Sequence, residues 1–315
     1  MQRTIQLMTI GGDQPSLKTF IISFKIYADA LNNLRYNTNV ILVDNYASDK
    51  TFNIVSAFDK TDIIILTVAF LSNVDLIEKY LNVGNPIILI NSESIDRIKV
   101  YPWCIHPHIY THKNLLMIWD YEYDNIIRLK QKTNILIPHY YFPPMYSPIL
   151  EIEPLKSSKD IDILFYGWVC PRRLKILDSL SHLGINVFIP KYGRRSRGNF
   201  PDIQEQNKII AKSKIIIIIH SYEFDRTIDY YRISPLIANK HFIVHESVNA
   251  NDTNEEFNRH FTVAPYEDIA DACVRVLKMT QEERDESAQK GYDYFKRGHN
   301  TVNFVPQALI DFCSK

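Results

Sequence analysis

Short runs of β-branched and aliphatic residues recur along the chain, each closed by polar residues or glycine, and stretches with apolar residues at helical spacing lie between them. In the first half the runs are Ile5–Ile10, closed by Gly11-Gly12-Asp13, Val40–Val43, closed by Asp44, and Ile63–Val68. Ile87–Ile90 follows, closed by Asn91-Ser92-Glu93, then Leu115–Ile118, closed by Trp119-Asp120, and Ile135–Ile137. Helical spacing covers Pro15–Asn32 (Leu17, Phe20, Ile21, Phe24, Tyr27, Ala28, Leu31), Asp75–Val83 and Tyr123–Gln131. Strands that alternate with helices predict a doubly wound parallel sheet. Pro143-Pro144 continues neither a strand nor a helix, so the chain leaves this sheet there.

The second half repeats the pattern. Ser147–Lys159, with Pro148, Pro154 and a polar run from Lys156, reads as a linker. Strands are predicted at Ile161–Tyr166, Ile185–Ile189, Ile215–Ile219, His241–His245 and Phe261–Val263. Five consecutive isoleucines mark the third as buried on both faces of its sheet. Helices are predicted from Arg172, over Asp202–Lys212, Tyr230–Asn239, Tyr266–Met279 and Gln281–Arg297, with Asn249–Glu256 a loop. The expected layout is residues 1–147, residues 148–300, and a tail, 301–315, that reaches back to the first domain.

Ligands of open parallel sheets bind outside the carboxyl ends of the strands. By that rule His220, Asp229, Arg232, Glu246 and Ser247 converge on one crevice of the second domain. Gly167 ends the strand before the helix that starts near Arg172 and Arg173, and a phosphate fits such a turn, although the spacing is not GxGxxG and a purely structural turn fits it equally. The loop Lys191–Gly198, with Tyr192, Arg194, Arg195 and Arg197, offers forks for a diphosphate and equally reads as a solvated loop. His106, His108 and His112 invite a metal reading, but His106-Pro107-His108 holds the first two in an extended segment, and ordinary loop or domain-contact histidines are the other reading.

The chain of 315 residues carries 36 basic and 36 acidic residues, which excludes the overall cationic field of a non-specific nucleic-acid binder. Its four cysteines contain no Cys-x-x-Cys pair, so neither a zinc knuckle nor a disulfide framework is indicated. The N-terminus lacks a signal-peptide pattern and no stretch approaches the ~20 apolar residues of a membrane span, so a cytoplasmic protein is expected.

Particular residues resemble a group of GT-B-type glycosyltransferases of bacteria and large DNA viruses. They are Asp162–Gly167, Arg172-Arg173, His220 with Tyr222, Asp229-x-x-Arg232, and Leu236–Asn239 running into Val244-His245-Glu246. In the first half they are Asn91-Ser92-Glu93, Trp119-Asp120-Tyr121 with Asn125-Ile126, and Ile137-Pro138. The resemblance implies two Rossmann-like doubly wound domains facing a central cleft. It also implies transfer of a sugar from a nucleotide-sugar donor, held by the second domain, to a glycan or other acceptor on the first, with no metal or cofactor. Donor contacts would come from Gly167, Arg172, Arg173, Tyr192, Arg194, His220, Tyr222, Arg232, Glu246 and Ser247. Catalytic candidates are His220, Asp229 and, as general base, Asp13, Glu93 or Asp120. Asp229 stands where the group has glutamate, and Pro235 falls near the second glutamate of the E-x7-E pattern, leaving the stereochemistry open. A non-catalytic sugar-nucleotide-binding protein and a GT-B-like epimerase or DNA glucosyltransferase are the alternatives.

Overall fold

The computed structural model describes residues 3–11, 15–67, 74–94, 111–132, 137–155, 157–191, 200, 202–225, 227–248 and 252–314. The chain divides into two compact units, one of Met1–Gly12, Thr19–Ile149 and Asn300–Lys315, the other of Asp13–Lys18 and Leu150–His299.

The first unit runs β1 (Thr4–Ile10), α1 (Pro15–Asn33), β2 (Asn37–Val43), α2 (Asp49–Ser56), β3 (Ile63–Thr67), α3 (Val74–Leu81), β4 (Ile87–Asn91), β5 (Leu115–Asp120), α4 (Tyr123–Lys132) and β6 (His139–Tyr141). Its six strands form one parallel sheet in the order β2-β1-β3-β4-β5-β6. Alternate side chains fill two cores. Met8, Ile64, Leu66 and Leu89 pack with Ile77 and Tyr80 of α3, while Ile5, Leu7, Ile63, Ile65 and Ile88 pack with Phe24, Tyr27 and Leu31 of α1. Burial on both faces explains why the central strands are unbroken apolar runs.

The second unit runs β7 (Ile161–Leu164), α5 (Pro171–His182), β8 (Val187–Phe188), α6 (Ile203–Ala211), β9 (Ser213–Ile218), α7 (Tyr230–Ala238), β10 (Ile243–Glu246), α8 (Asp252–His260), β11 (Thr262–Ala264), α9 (Ile269–Leu277) and α10 (Gln281–Gly298). Its parallel sheet has the order β11-β10-β9-β7-β8. Ile215, Ile217 and Ile219 enter a core with Leu177 of α5 and Cys273 of α9. Strand order reverses between β7 and β9, so their carboxyl ends flank the switch point of this sheet.

The tail belongs to the first unit. Its helix α11 (Gln307–Cys313) buries Leu309 in the core of β1 and α1, and Arg3 lies 4.5 Å from the Phe312 ring. Glu151–Lys159 is tied along the second unit. Asn239 bonds both Leu150 O and Ile152 N, and Glu151 accepts from Tyr292 and Lys296.

Four elements differ from the sequence expectation. The last strand of the first sheet is β6 and not Ile135–Ile137, of which 135 and 136 lie outside the described residues. His139, bonded to Asp120, sets its register opposite Ile118. Asn249–Glu256, read as a loop, instead leads into α8, whose buried anchor among the described side chains, Phe257, gives no apolar period to detect. Helix α2 escapes the apolar reading and is marked only by its cap, Ser48, which accepts Thr51 N–H at 3.1 Å. Ile185–Ile189 narrows to the two residues of β8.

Candidate active site

Beyond β7 the chain turns through Phe165, Tyr166 and Gly167. Gly167 has φ 121°, a left-handed conformation that glycine adopts freely, and a Cβ there would lie 3.0 Å from Arg232 Nη1. Arg232 sits in the first turn of α7. Its Nε donates to Asp229 Oδ2 at 2.6 Å and its Nη1 to Tyr166 O at 3.1 Å, while Asp229, the N-cap of the helix, also accepts Arg232 N–H. Its Nη2 makes no hydrogen bond among the described residues. The guanidinium is thus fixed in place against the Cβ-free face of Gly167, with 16% of its side chain exposed.

At the end of β9, His220 is buried and its backbone N–H donates to Glu246 Oε2 at 2.8 Å. Its Nε2 has no partner, and its ring meets His245 edge-on at 5.3 Å. Burial first, then His245, Arg173, Arg232 and Arg172, hold the His220 pKa well below the ordinary histidine value, so the ring is neutral at pH 7. Arg232 rather than His220 therefore supplies positive charge here.

Burial likewise pushes His245 down to about 4. The unfolded chain then binds the proton more tightly than the native one, so stability is full above the unfolded pKa of about 6.5 and falls as pH drops toward 4. His245 alone should remove about 1.4 kcal/mol per pH unit in that window. Urea unfolding of wild type and His245→Phe at pH 7 and pH 4.5 checks this. A smaller pH-dependent loss in the variant is expected, and equal losses would contradict it.

Arg172 and Arg173 brace the wall of the crevice. Arg172 forks onto Glu246, donates to His220 O at 3.0 Å, and lies 3.7 Å over the Tyr266 ring. Arg173 is 4% exposed and donates to Ile219 O and Trp168 O, both at 2.7 Å. Glu246 is thereby committed to Arg172 and His220 N–H. Ser247 N–H donates to Ala264 O beside them.

Aromatic rings rim the same strand ends. Trp168, directly after Gly167, is 42% exposed and lies 6.1 Å from Tyr222, which stacks on Phe224 at 4.9 Å.

In the first unit, the carboxyl ends of β4 and β5 form a polar knot. Asp120 is 0% exposed and accepts from Asn91 Nδ2 (2.8 Å), Asn125 Nδ2 (2.9 Å), Glu122 N–H (3.0 Å) and His139 Nε2 (3.2 Å). A carboxylate so enclosed, with four donors on its two oxygens, is the hub of this turn. Glu93 is half-buried beside it, its carbonyl held by Asn125 and its N–H by Asn91 Oδ1.

No protein-family model matches the chain. Two uncharacterized proteins of Acanthamoeba polyphaga mimivirus, R358 and L140, are each 25% identical to it, over 195 and 207 residues. Those matches cover 61% and 64% of this chain and only 64% and 62% of the two relatives. Among solved structures, Anabaena HepE in complex with UDP and glucose aligns over 100% of both chains at TM-score 0.61 and 9% identity. Trehalose-6-phosphate synthase OtsA aligns over 99% of both at 0.60 and 11%. A T4 phage BGT mutant in complex with UDP-glucose aligns over 99% of both at 0.56 and 16%. These three are GT-B glycosyltransferases, and each is matched along essentially its whole length. The chain has the GT-B fold.

Within this GT-B chain, the structure brings Gly167, His220, Tyr222, Asp229 and Arg232 to the switch point of the second sheet, with Arg172, Arg173, Glu246 and Ser247 behind them. Asp13, Tyr192 and Arg194 lie outside the described residues, as do His106 and His108 of the histidine cluster. His112 bonds Asn82 at an exposed position. Among the described residues no group of three His, Cys, Asp or Glu side chains could hold a metal, and no helix is long and apolar enough to cross a membrane. Trp168 was missed by sequence reasoning. Its only signal was its place immediately after a strand-ending glycine.

Proposed function

We propose that this chain is a glycosyltransferase that takes its sugar from a nucleoside-diphosphate sugar seated at the carboxyl ends of β7 and β9. The observation that carries the reading is Arg232, a cation locked by Asp229 and Tyr166 O, with an unused Nη2, against a glycine at the sheet's switch point. The GT-B neighbours solved with UDP or UDP-glucose support it.

In the reaction, the bond from sugar C1 to the β-phosphate oxygen breaks and its electron pair stays on that oxygen. The acceptor hydroxyl oxygen bonds to C1, and its proton passes to a general base. Arg232 offsets the charge that builds on the leaving diphosphate, an effect that is large where water is excluded. Asp229 orients Arg232, and neutral His220 offers a hydrogen bond without adding charge. Because a fixed guanidinium takes the place of a cation, the reaction is expected to need no divalent metal. The acceptor class is a hydroxyl of a glycan, a protein or a small molecule.

Incubation with UDP-, GDP- and TDP-sugars, followed as slow donor hydrolysis and as a rise in melting temperature with the matching nucleotide, tests the reading. One nucleotide class should stabilise the protein by about 2.7 kcal/mol at a hundredfold excess over its Kd. Hydrolysis should persist in EDTA. Loss in EDTA, restored by manganese or magnesium, would overturn metal independence, and absence of stabilisation by every nucleotide would overturn the donor reading.

A further inference from the structure

We infer that Trp168, with the stacked Tyr222–Phe224 pair beside it, cradles the apolar face of the donor's sugar ring and so sets which sugar is transferred. This rests on the donor reading above. Of the two described tryptophans, Trp119 is fully buried, whereas Trp168 leaves 42% of its surface in water. An indole is costly to leave exposed and well suited to bind a ring.

Position selects the occupant. Trp168 follows Gly167 directly, and Gly167 lies against the guanidinium proposed to take the diphosphate. The sugar ring hangs from the β-phosphate through a single oxygen, whereas the base is one ribose further away. The ring beside the diphosphate seat is therefore the sugar or the ribose and not the base, and of those two the six-membered sugar offers the broader C–H face to an indole.

Shape agrees. Trp168 and Tyr222 meet at 55°, and Phe224 backs Tyr222 at 9°, so the rings form a corner and not two parallel plates. A puckered pyranose presents C–H bonds to such a corner, while a flat base is best held between parallel faces. The Trp168 carbonyl accepts from Arg173 Nη1 at 2.7 Å, which anchors the backbone beneath the ring.

The test uses wild type, Trp168→Ala and Trp168→Phe, titrated with UDP and UDP-glucose by calorimetry, and with GDP and GDP-mannose where the uridine pair does not bind. Trp168→Ala should weaken the sugar nucleotide about tenfold and the bare nucleotide by less than about twofold, with Trp168→Phe close to wild type. The melting temperatures of the free proteins should agree, since the side chain is exposed. Equal weakening of both ligands would overturn the inference by placing the base or ribose on Trp168. Unchanged binding of both would overturn it by leaving the rim without a ring. Failure of wild type to bind any nucleotide, with or without its sugar, would overturn the donor reading itself.

Discussion

Replacing Arg232 with alanine is expected to slow sugar transfer about 30- to 1,000-fold, the loss of roughly 2 to 4 kcal/mol of transition-state stabilisation. The structure sharpens that expectation. Nε is held by Asp229 and Nη1 by Tyr166 O, so the unused end of the guanidinium is already aimed when the diphosphate arrives. Arg232→Lys should not restore the rate, because one ammonium cannot bond Asp229, Tyr166 O and a phosphate in three directions. Stability should fall by only about 1 kcal/mol, since Asp229 keeps its capping bond to the residue 232 N–H. Steady-state rates and melting curves of both variants decide the matter. Near-wild-type rates would mean that Arg232 serves only the helix start, and a collapse of melting temperature would mean that it ties α7 to the sheet.

Asp120→Ala should be the most destabilising single change in the first unit, by about 3 to 5 kcal/mol. Its carboxylate is the common acceptor for Asn91, Asn125, His139 and Glu122 N–H, and its removal takes that acceptor from all four. Denaturant unfolding measures the loss. Asp120→Asn separates the structural role from a catalytic one. If Asp120 is the hub, the amide, which faces donors with a donor, lowers stability as well as activity. An Asp120→Asn variant that unfolds like wild type yet transfers no sugar would instead make Asp120 the base.

The two sheets were legible because burial on both faces leaves an unmistakable mark. Runs such as Ile215–Ile219 and Ile63–Leu66 have no polar face to confuse the period, and the carboxyl ends of parallel strands then mark where a site belongs. Gly167, Asp229 and Arg232 came from that rule and from the resemblance. What the sequence did not carry was pairing across distance. Arg172 and Glu246 are 74 residues apart, and each alone looks like a ligand-binding charge until the structure closes one on the other. Asp120 looked like an available carboxylate for the same reason, since two of its four donors, Asn91 and His139, stand 29 and 19 residues away in the chain. Helix α8 was hidden by polarity. Trp168 was hidden because exposure is a property of the fold and leaves no pattern in a sequence.

Where the nucleotide lies is measured by a co-crystal structure with the nucleoside diphosphate that raises the melting temperature. The diphosphate is expected within hydrogen-bonding distance of Arg232 Nη2, over Gly167, at the carboxyl ends of β7 and β9. A nucleotide lodged wholly within residues 1–149, with Arg232 untouched, would contradict it.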